Sequence, residues 1–196
     1  GKVPWSQKEM PVTEEMVQIA RESDAALVVI GRTAGEDQDN TAAPGSYLLT
    51  ETEEELIEKV CAACSRTIVV LNVGNIIDMK WVEKYHPQAV LCVWQGGQEG
   101  GNGAADVLVG RVNPSGRLTD TIAGDISDYP CEGHFGDPVK NIYAEDIYVG
   151  YRYFETFAPD KVLYPFGYGL SYTSFETEAK LAGEDGEVLR VEALVK

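Results

Sequence analysis

Three apolar runs, each leaving through glycine and polar residues toward a helix-forming stretch, decide most of what this chain can fold into. They are Ala25-Ala26-Leu27-Val28-Val29-Ile30, Thr67-Ile68-Val69-Val70-Leu71-Asn72-Val73 and Ala89-Val90-Leu91-Cys92-Val93-Trp94. None alternates strictly as a strand with one wet face does, so each reads as a strand covered by helices on both sides. The segments around them carry helical spacing. Thr13, with Glu14 and Glu15 behind it, caps a helix that runs to about Ser23, and Thr50 or Thr52 with Glu53 or Glu55 forms a capping box opening a second to about Ser65. Trp81, Val82 and Tyr85 mark a third helix between Asp78 and His86, and Ala104, Ala105, Val107 and Leu108 a fourth. Repeated strand, loop and helix units with right-handed crossovers predict an α/β fold, a three-layer sandwich with a mostly parallel sheet and helices on both faces.

Such sheets place ligand chemistry in the loops at the carboxyl ends of their strands. The first run ends in Gly31-Arg32-Thr33-Ala34-Gly35-Glu36-Asp37-Gln38-Asp39-Asn40, where four carbonyl-bearing side chains, Glu36, Asp37, Asp39 and Asn40, crowd one loop. That loop is the site candidate. The competing explanation is a solvated turn, because Gly, Asp and Asn favour turns for local reasons. The loop after the third run, Gln95-Gly96-Gly97-Gln98-Glu99-Gly100-Gly101, resembles no phosphate cradle. It lacks the Gly-Lys-Ser/Thr of a Walker A loop and the Gly-x-Gly-x-x-Gly spacing, and Glu99 would turn a negative charge toward a phosphate. No Gly-x-Ser-x-Gly elbow is present.

Charge narrows the partners. A net charge of −16, with only 16 Lys and Arg in 196 residues, leaves no cationic stripe for nucleic acid or an anionic membrane surface. A neutral ligand such as a sugar fits better, and no apolar run approaches the roughly 20 residues that span a bilayer. Cys61 and Cys64 have redox spacing but fall late in a helical pattern, so they read as buried apolar residues. His86 and His134 lack ligand partners at useful spacing, so no metal and no cofactor is expected.

From about residue 123 the texture changes. Residues 125–140 read as a long loop, and Ile142 to Phe154 then carry five aromatics in thirteen residues, read as an aromatic edge strand bearing Arg152. A second aromatic group runs from Tyr164 to Tyr172, and residues 175–196 look like one or two strands with no partner in the chain. Aromatic faces beside acids suit sugar rings, and what remains is carboxylate chemistry of the kind glycoside hydrolysis needs. One carboxylic acid protonates the leaving oxygen and a second carboxylate attacks or activates water.

Five motifs then occur in a recognisable order: Gly35-Glu36-Asp37-Gln38-Asp39-Asn40, Trp94 to Gly101, Asn113-Pro114-Ser115-Gly116-Arg117-Leu118, Tyr148 to Phe154, and Pro165 to Phe175. Over about residues 13–176 the chain resembles the C-terminal α/β-sandwich domain of glycoside hydrolase family 3, in its bacterial β-glucosidase branch. The resemblance implies a retaining β-glycosidase acting on β-glucosides or short oligosaccharides, with its aspartate nucleophile in a separate (β/α)8 barrel. By position Glu36 matches the general acid/base of a Gly-Glu-x-x-Asp-Arg motif and Asp39 its aspartate, while Asn40 replaces the arginine and Thr119 a proline after Gly-Arg-Leu. Glu99 and Glu145, on other loops, are rival candidates for the acid, and Asp37, Asp39, Glu99, Tyr143 and Glu145 are the candidate substrate-binding residues.

The resemblance divides the chain into the sandwich domain at 1–173, without its usual first strand and helix, and the start of a fibronectin-III-like domain at 174–196. A carbohydrate substrate and the barrel of the same enzyme are the implied partners, and the fragment alone is expected to be inactive. A homodimer and a cytoplasmic location are accompanying expectations. The alternative is a non-catalytic carbohydrate-binding or scaffolding domain of the same enzyme.

Overall fold

The computed structural model describes residues 9–33 and 39–196. Its centre is a three-stranded parallel sheet in the order β1-β2-β3, formed by Ala26–Gly31, Thr67–Asn72 and Ala89–Cys92. Register pairs Val28 with Val69 and Ile30 with Leu71, so side chains of one parity share a face. That face meets α1 (Glu14–Glu22) and α2 (Glu51–Ala63), and Ala20, Ile57, Val60 and Cys64 close over Val28, Ile30, Val69 and Leu71. Trp81 of α3 (Lys80–Tyr85) completes this core at 1% exposure. Burying side chains of this size stabilises by about 1.5–3 kcal/mol each, which outweighs the weak helix propensity of the β-branched residues among them.

The caps are where the sequence placed them. Thr13 accepts from the Met16 backbone N–H, and the capping box of α2 is Thr50 with Glu53. Cys61 is half-buried and Cys64 buried, and burial pushes the Cys61 thiol pKa up, as suits an apolar role.

The opposite face is covered unevenly. The start of α4 (Gly100–Leu108) lies across a cleft of about 410 Å³ from Val29, Val70 and Val93, so helices stand on both faces of the sheet. Over β1, however, Leu27 and Val29 remain 57% and 55% exposed. The run that reads as doubly covered therefore has one open side among the described residues.

Past α4 the chain builds a smaller core. The antiparallel pair β4 (Ile122–Ala123) and β5 (Val162–Tyr164) backs onto α5 (Tyr151–Phe157), with Phe154, Ala123 and Ala158 buried beneath Tyr129. Tyr129 Oη donates to Thr121 O at 3.0 Å and accepts from Ala123 N at 2.9 Å, and burial first of all lifts its phenol to about 12. The expected aromatic strand is thus a helix from Tyr151. Tyr153, Phe154 and Phe157 fall on one side at helical spacing, and Gly150 turns into it at φ 61°.

A salt bridge of 3.0 Å from Lys80 to Asp125 joins the two parts. The Asp125 carboxyl is held down to about 2, chiefly by the Ser127 backbone N–H and then by Lys80 and the Ser127 hydroxyl. A depressed carboxylate pKa contributes stability that is complete above the unfolded value of about 3.9 and disappears as pH falls toward 2. Asp125 is half exposed, so the stabilisation is small. A carboxyl-carbon NMR titration should place its midpoint near 2, and a midpoint at the ordinary value would contradict the geometry.

Two of the sequence motifs are explained by packing. Leu118 N donates to Tyr168 O and Gly167 N to Leu118 O, each at 2.8 Å, and Asn113 Oδ1 accepts from Tyr172 N at 2.8 Å. The 113–118 and 167–172 segments therefore run together as an irregular zipper, fastened to α4 by Tyr172 Oη on Val107 O. A Cβ on Gly169 would stand 2.8 Å from Gly116 O. Gly169→Ala should lower stability by about 1–3 kcal/mol in thermal unfolding. Gly103→Ala, within α4 with nothing within 4 Å of its Cβ, should be neutral or slightly stabilising, so equal Tm values for the two variants would refute the close approach.

Residues 177–195 correct the expectation of strands with no partner in the chain. Thr177–Asp185 (β6) and Val188–Val195 (β7) pair with each other as an antiparallel hairpin across a two-residue loop at Gly186, φ 61°. Leu181, Val191 and Leu194 on it are exposed. Among the described residues no helix is long and apolar enough to cross a membrane.

Candidate functional site

The carboxyl edge of the parallel sheet is built around Arg32, the first residue past β1. An arginine ending an apolar strand is costly to bury unless every N–H is satisfied, and here all five are. Nε donates to Ser46 O at 3.1 Å, Nη1 to Gly31 O and Glu53 Oε1 at 2.9 and 2.5 Å, and Nη2 to Leu48 O and Glu53 Oε2 at 3.3 and 3.0 Å. Glu53 is 0% exposed, and its Oε2 also accepts from Thr50 N at 2.8 Å, closing the capping box of α2. With no donor left over, Arg32 anchors structure and cannot grip a ligand. It binds the exit of β1 to the return limb at 46–48 and to the start of α2.

Two amides extend this anchor. Gln95 Nε2, from the loop after β3, donates to Arg32 O at 3.1 Å, and its carboxamide packs against Gly74, where a Cβ would sit 3.0 Å from Gln95 Oε1. Asn40 Nδ2 donates to Ile76 O at 2.9 Å, and its Oδ1 accepts from Ser46 Oγ at 3.3 Å. The exits of all three parallel strands are thereby tied together. Trp94, at φ 52°, is held in the left-handed region that non-glycine residues rarely occupy, and it turns the chain out of β3 into this edge. Gly96 follows because a Cβ there would meet the Gly100 backbone at 2.7 Å.

The predicted site residues fall into three groups. Glu36 and Asp37 lie outside the described residues. Asp39 and Glu99 are exposed and stand on the strand-end loops, Asp39 next to the anchored Asn40 and Glu99 at the head of α4, where it accepts from Asn102 Nδ2 at 2.6 Å. Tyr143 and Glu145 lie on the 130–148 segment. Tyr143 is 86% exposed, and Glu145 is half-buried near Cys131, whose thiol it raises after the larger effect of burial. Among the described residues no hydrogen bond or ion pair joins either to the strand-end loops.

Read alone, the sequence assigns Arg32, Ser46, Glu53 and Gln95 no part in the site. A charged side chain directly after six apolar residues, with a glutamate at the third position of a capped helix, is the signal that could have found the first and third. Among the described residues no group of three His, Cys, Asp or Glu side chains could hold a metal ion.

Comparisons with known proteins bear on what this edge serves. Residues 8–172 match the family described as glycosyl hydrolase family 3 C-terminal domain. The chain is 54% identical over 191 residues to a beta-glucosidase of Ruminococcus albus, covering 96% of this chain and 20% of that protein. It is 42% identical to beta-glucosidase A of Butyrivibrio fibrisolvens, of which it covers 25%. Among solved structures, a beta-glucosidase from Paenibacillus barengoltzii superposes with a TM-score of 0.89 at 53% identity, over 98% of this chain and 22% of that one. Beta-glucosidase 3B from Thermotoga neapolitana in complex with glucose gives 0.86 at 38% identity, over 100% of this chain and 28% of that one. The chain thus spans about a fifth to a quarter of the length of the curated relatives it matches.

Proposed function

We propose, since this chain belongs to the glycosyl hydrolase family 3 C-terminal domain family, that it is the acid/base-bearing part of a retaining β-glycosidase acting on β-glucosides or short oligosaccharides. In this reading Glu36 gives its proton to the departing glycosidic oxygen, and the carboxylate so formed then takes a proton from the water that hydrolyses the glycosyl-enzyme. The nucleophilic aspartate belongs to a (β/α)8 barrel elsewhere in the longer enzyme. Asp37, Asp39 and Glu99 supply polar contacts to the sugar from the strand-end loops, and Tyr143 and Glu145 approach from the 130–148 segment.

The observation that carries the reading is the tied root of the acidic loop. Residues 34–38 leave from Arg32 and Thr33 and return through Asp39 to Asn40, and both anchored residues sit at the carboxyl edge of the sheet, where such folds place their chemistry. The deciding experiment is Glu36→Ala in the full-length enzyme. kcat/KM for an alkyl β-glucoside should collapse while kcat/KM for a dinitrophenyl β-glucoside, which reports only the first step, survives, and an equal effect on both ends the reading.

The same membership supports a boundary near residue 173, with 174–196 opening a fibronectin-III-like domain. A two-stranded hairpin is marginal by itself in water, and β6 and β7 expose both faces, so they call for further strands. The open side of β1 at Leu27 and Val29 likewise calls for additional chain of the same enzyme.

A further inference from the structure

Residues 131–150 lead into α5 with neither helix nor strand, and Glu145 is the one residue among them that is not exposed. Connections this long without structure of their own are uncommon in a compact domain unless they serve a function. This one is also apolar. Phe135, Val139, Ile142, Ile147 and Val149 range from 42% exposed at Ile142 to 89% at Val139. Single apolar residues scattered over a surface need no explanation, but five on one exposed segment do. Between residues 133 and 149 the hydrogen bonds are all local. His134 N donates to Cys131 O at 2.9 Å, Tyr148 N to Glu145 O at 2.8 Å, and Val139 N and Lys140 N to Asp137 Oδ1 at 2.8 and 3.2 Å. The backbone N–H groups of 141–147 have no acceptor among the described residues. At its far end the Tyr148 ring, 4.8 Å from that of Phe157, rests the segment on α5.

We propose that the 133–149 segment is an arm that docks onto a further domain of the same enzyme, in an apolar groove with a cationic rim. This rests on the reading of the chain as one part of a longer enzyme, and not on the role of Glu36. Length supports that occupant, since the chain spans about a fifth to a quarter of the curated relatives it matches. Charge narrows it further. Glu132, Asp137, Glu145 and Asp146 stand in or beside the arm against one cation, Lys140. A second copy of the chain, at net −16, brings like charge to them, and so does an anionic membrane. A surface with Lys or Arg around apolar pockets for Val139 and Ile147 is the complementary one. Docking of this kind also holds Tyr143 and Glu145 at a boundary between domains, where ligand sites commonly form.

Hydrogen exchange of the native full-length enzyme, read by mass spectrometry peptide by peptide, tests the arm without any substrate. Peptides covering 141–147 should exchange about a hundredfold or more slower than in the unfolded chain, because amides with no acceptor in this domain gain protection only from what covers them. The protection should persist on dilution to the point where light scattering reports a single copy. Val139→Asp combined with Ile147→Asp sets two charges in the docked face, and should speed exchange of 141–147 by about tenfold or more while leaving β1 to β3 unchanged. Exchange of the parent arm near the unfolded rate overturns the proposal, as does protection that ignores both charges. Protection that disappears on dilution also overturns it, and makes a second copy the occupant. Should the double variant not accumulate as folded protein, Val139→Asp alone is judged by the same ratio. Glu36→Ala should leave the exchange as it is, so the acid/base reading can fail while the docking stands.

Discussion

Replacing Glu36 with alanine in the full-length enzyme is expected to cut kcat on alkyl β-glucosides by about 10²- to 10⁴-fold, the range one general acid contributes. An alkoxide is a poor leaving group and needs the proton as the bond breaks. Dinitrophenolate leaves unaided, so on that substrate the first step should hold near the parent rate and the block should move to hydrolysis of the glycosyl-enzyme, which needs the same residue as base. Azide then offers a distinct signature. It is a nucleophile that needs no base, and by displacing the enzyme carboxylate it should restore turnover and yield a glycosyl azide. The pH profile carries a third mark, because the limb of kcat/KM that reports the acid should vanish from the variant. A variant that matches the parent on every substrate, with no response to azide, would leave this domain a scaffold.

The largest expected effect on stability is at the Arg32–Glu53 pair. Glu53→Ala should lower stability by about 3–5 kcal/mol, because it leaves a buried guanidinium without its counter-charge. It also opens the capping box of α2 and removes the acceptor of Thr50 N, worth about another 1 kcal/mol. For a protein of this size roughly 2–4 °C of Tm is lost per kcal/mol, so a fall of about 10 °C or more is expected in thermal unfolding. The pair is costly to break and replaceable to remove. Arg32→Met combined with Glu53→Leu should therefore recover much of the loss, since two apolar side chains need no counter-charge. A Glu53→Ala Tm within a degree or two of the parent would show that the guanidinium finds other acceptors and is no anchor.

The two experiments separate what the edge does from what it is made of. If the pair is purely structural, Glu53→Ala, assayed well below its Tm, should reduce activity on alkyl and dinitrophenyl substrates alike. Glu36→Ala should not.

How far the fold could be read beforehand is clearest in particular elements. The runs 25–30, 67–73 and 89–94 became β1, β2 and β3 within a residue or two, except that β3 stops at Cys92 because the chain bends out through Trp94. Thr13 capped its helix, and of the alternatives at the second helix the structure chose Thr50 with Glu53. That choice was invisible in spacing alone, because it depends on Glu53 also meeting Arg32, 21 residues earlier in the chain. The aromatic stretch 142–154 was misread because its density of Tyr and Ile imitates a strand, while the deciding feature is the face shared by Tyr153, Phe154 and Phe157.

Local chemistry is written in the order of residues: apolar period sets strand or helix, hydroxyls and carboxylates set caps, and glycines set turns. By these the sequence determined the α/β class, the element order and the loop in which a catalytic carboxylate was to be sought. What only the tertiary structure decided is which distant groups meet. Arg32 with Glu53, Asn40 with Ile76, Gln95 with Arg32, and Gly116 with Gly169 are contacts whose energy exists only after the fold has brought distant segments together, and no window of sequence contains both partners.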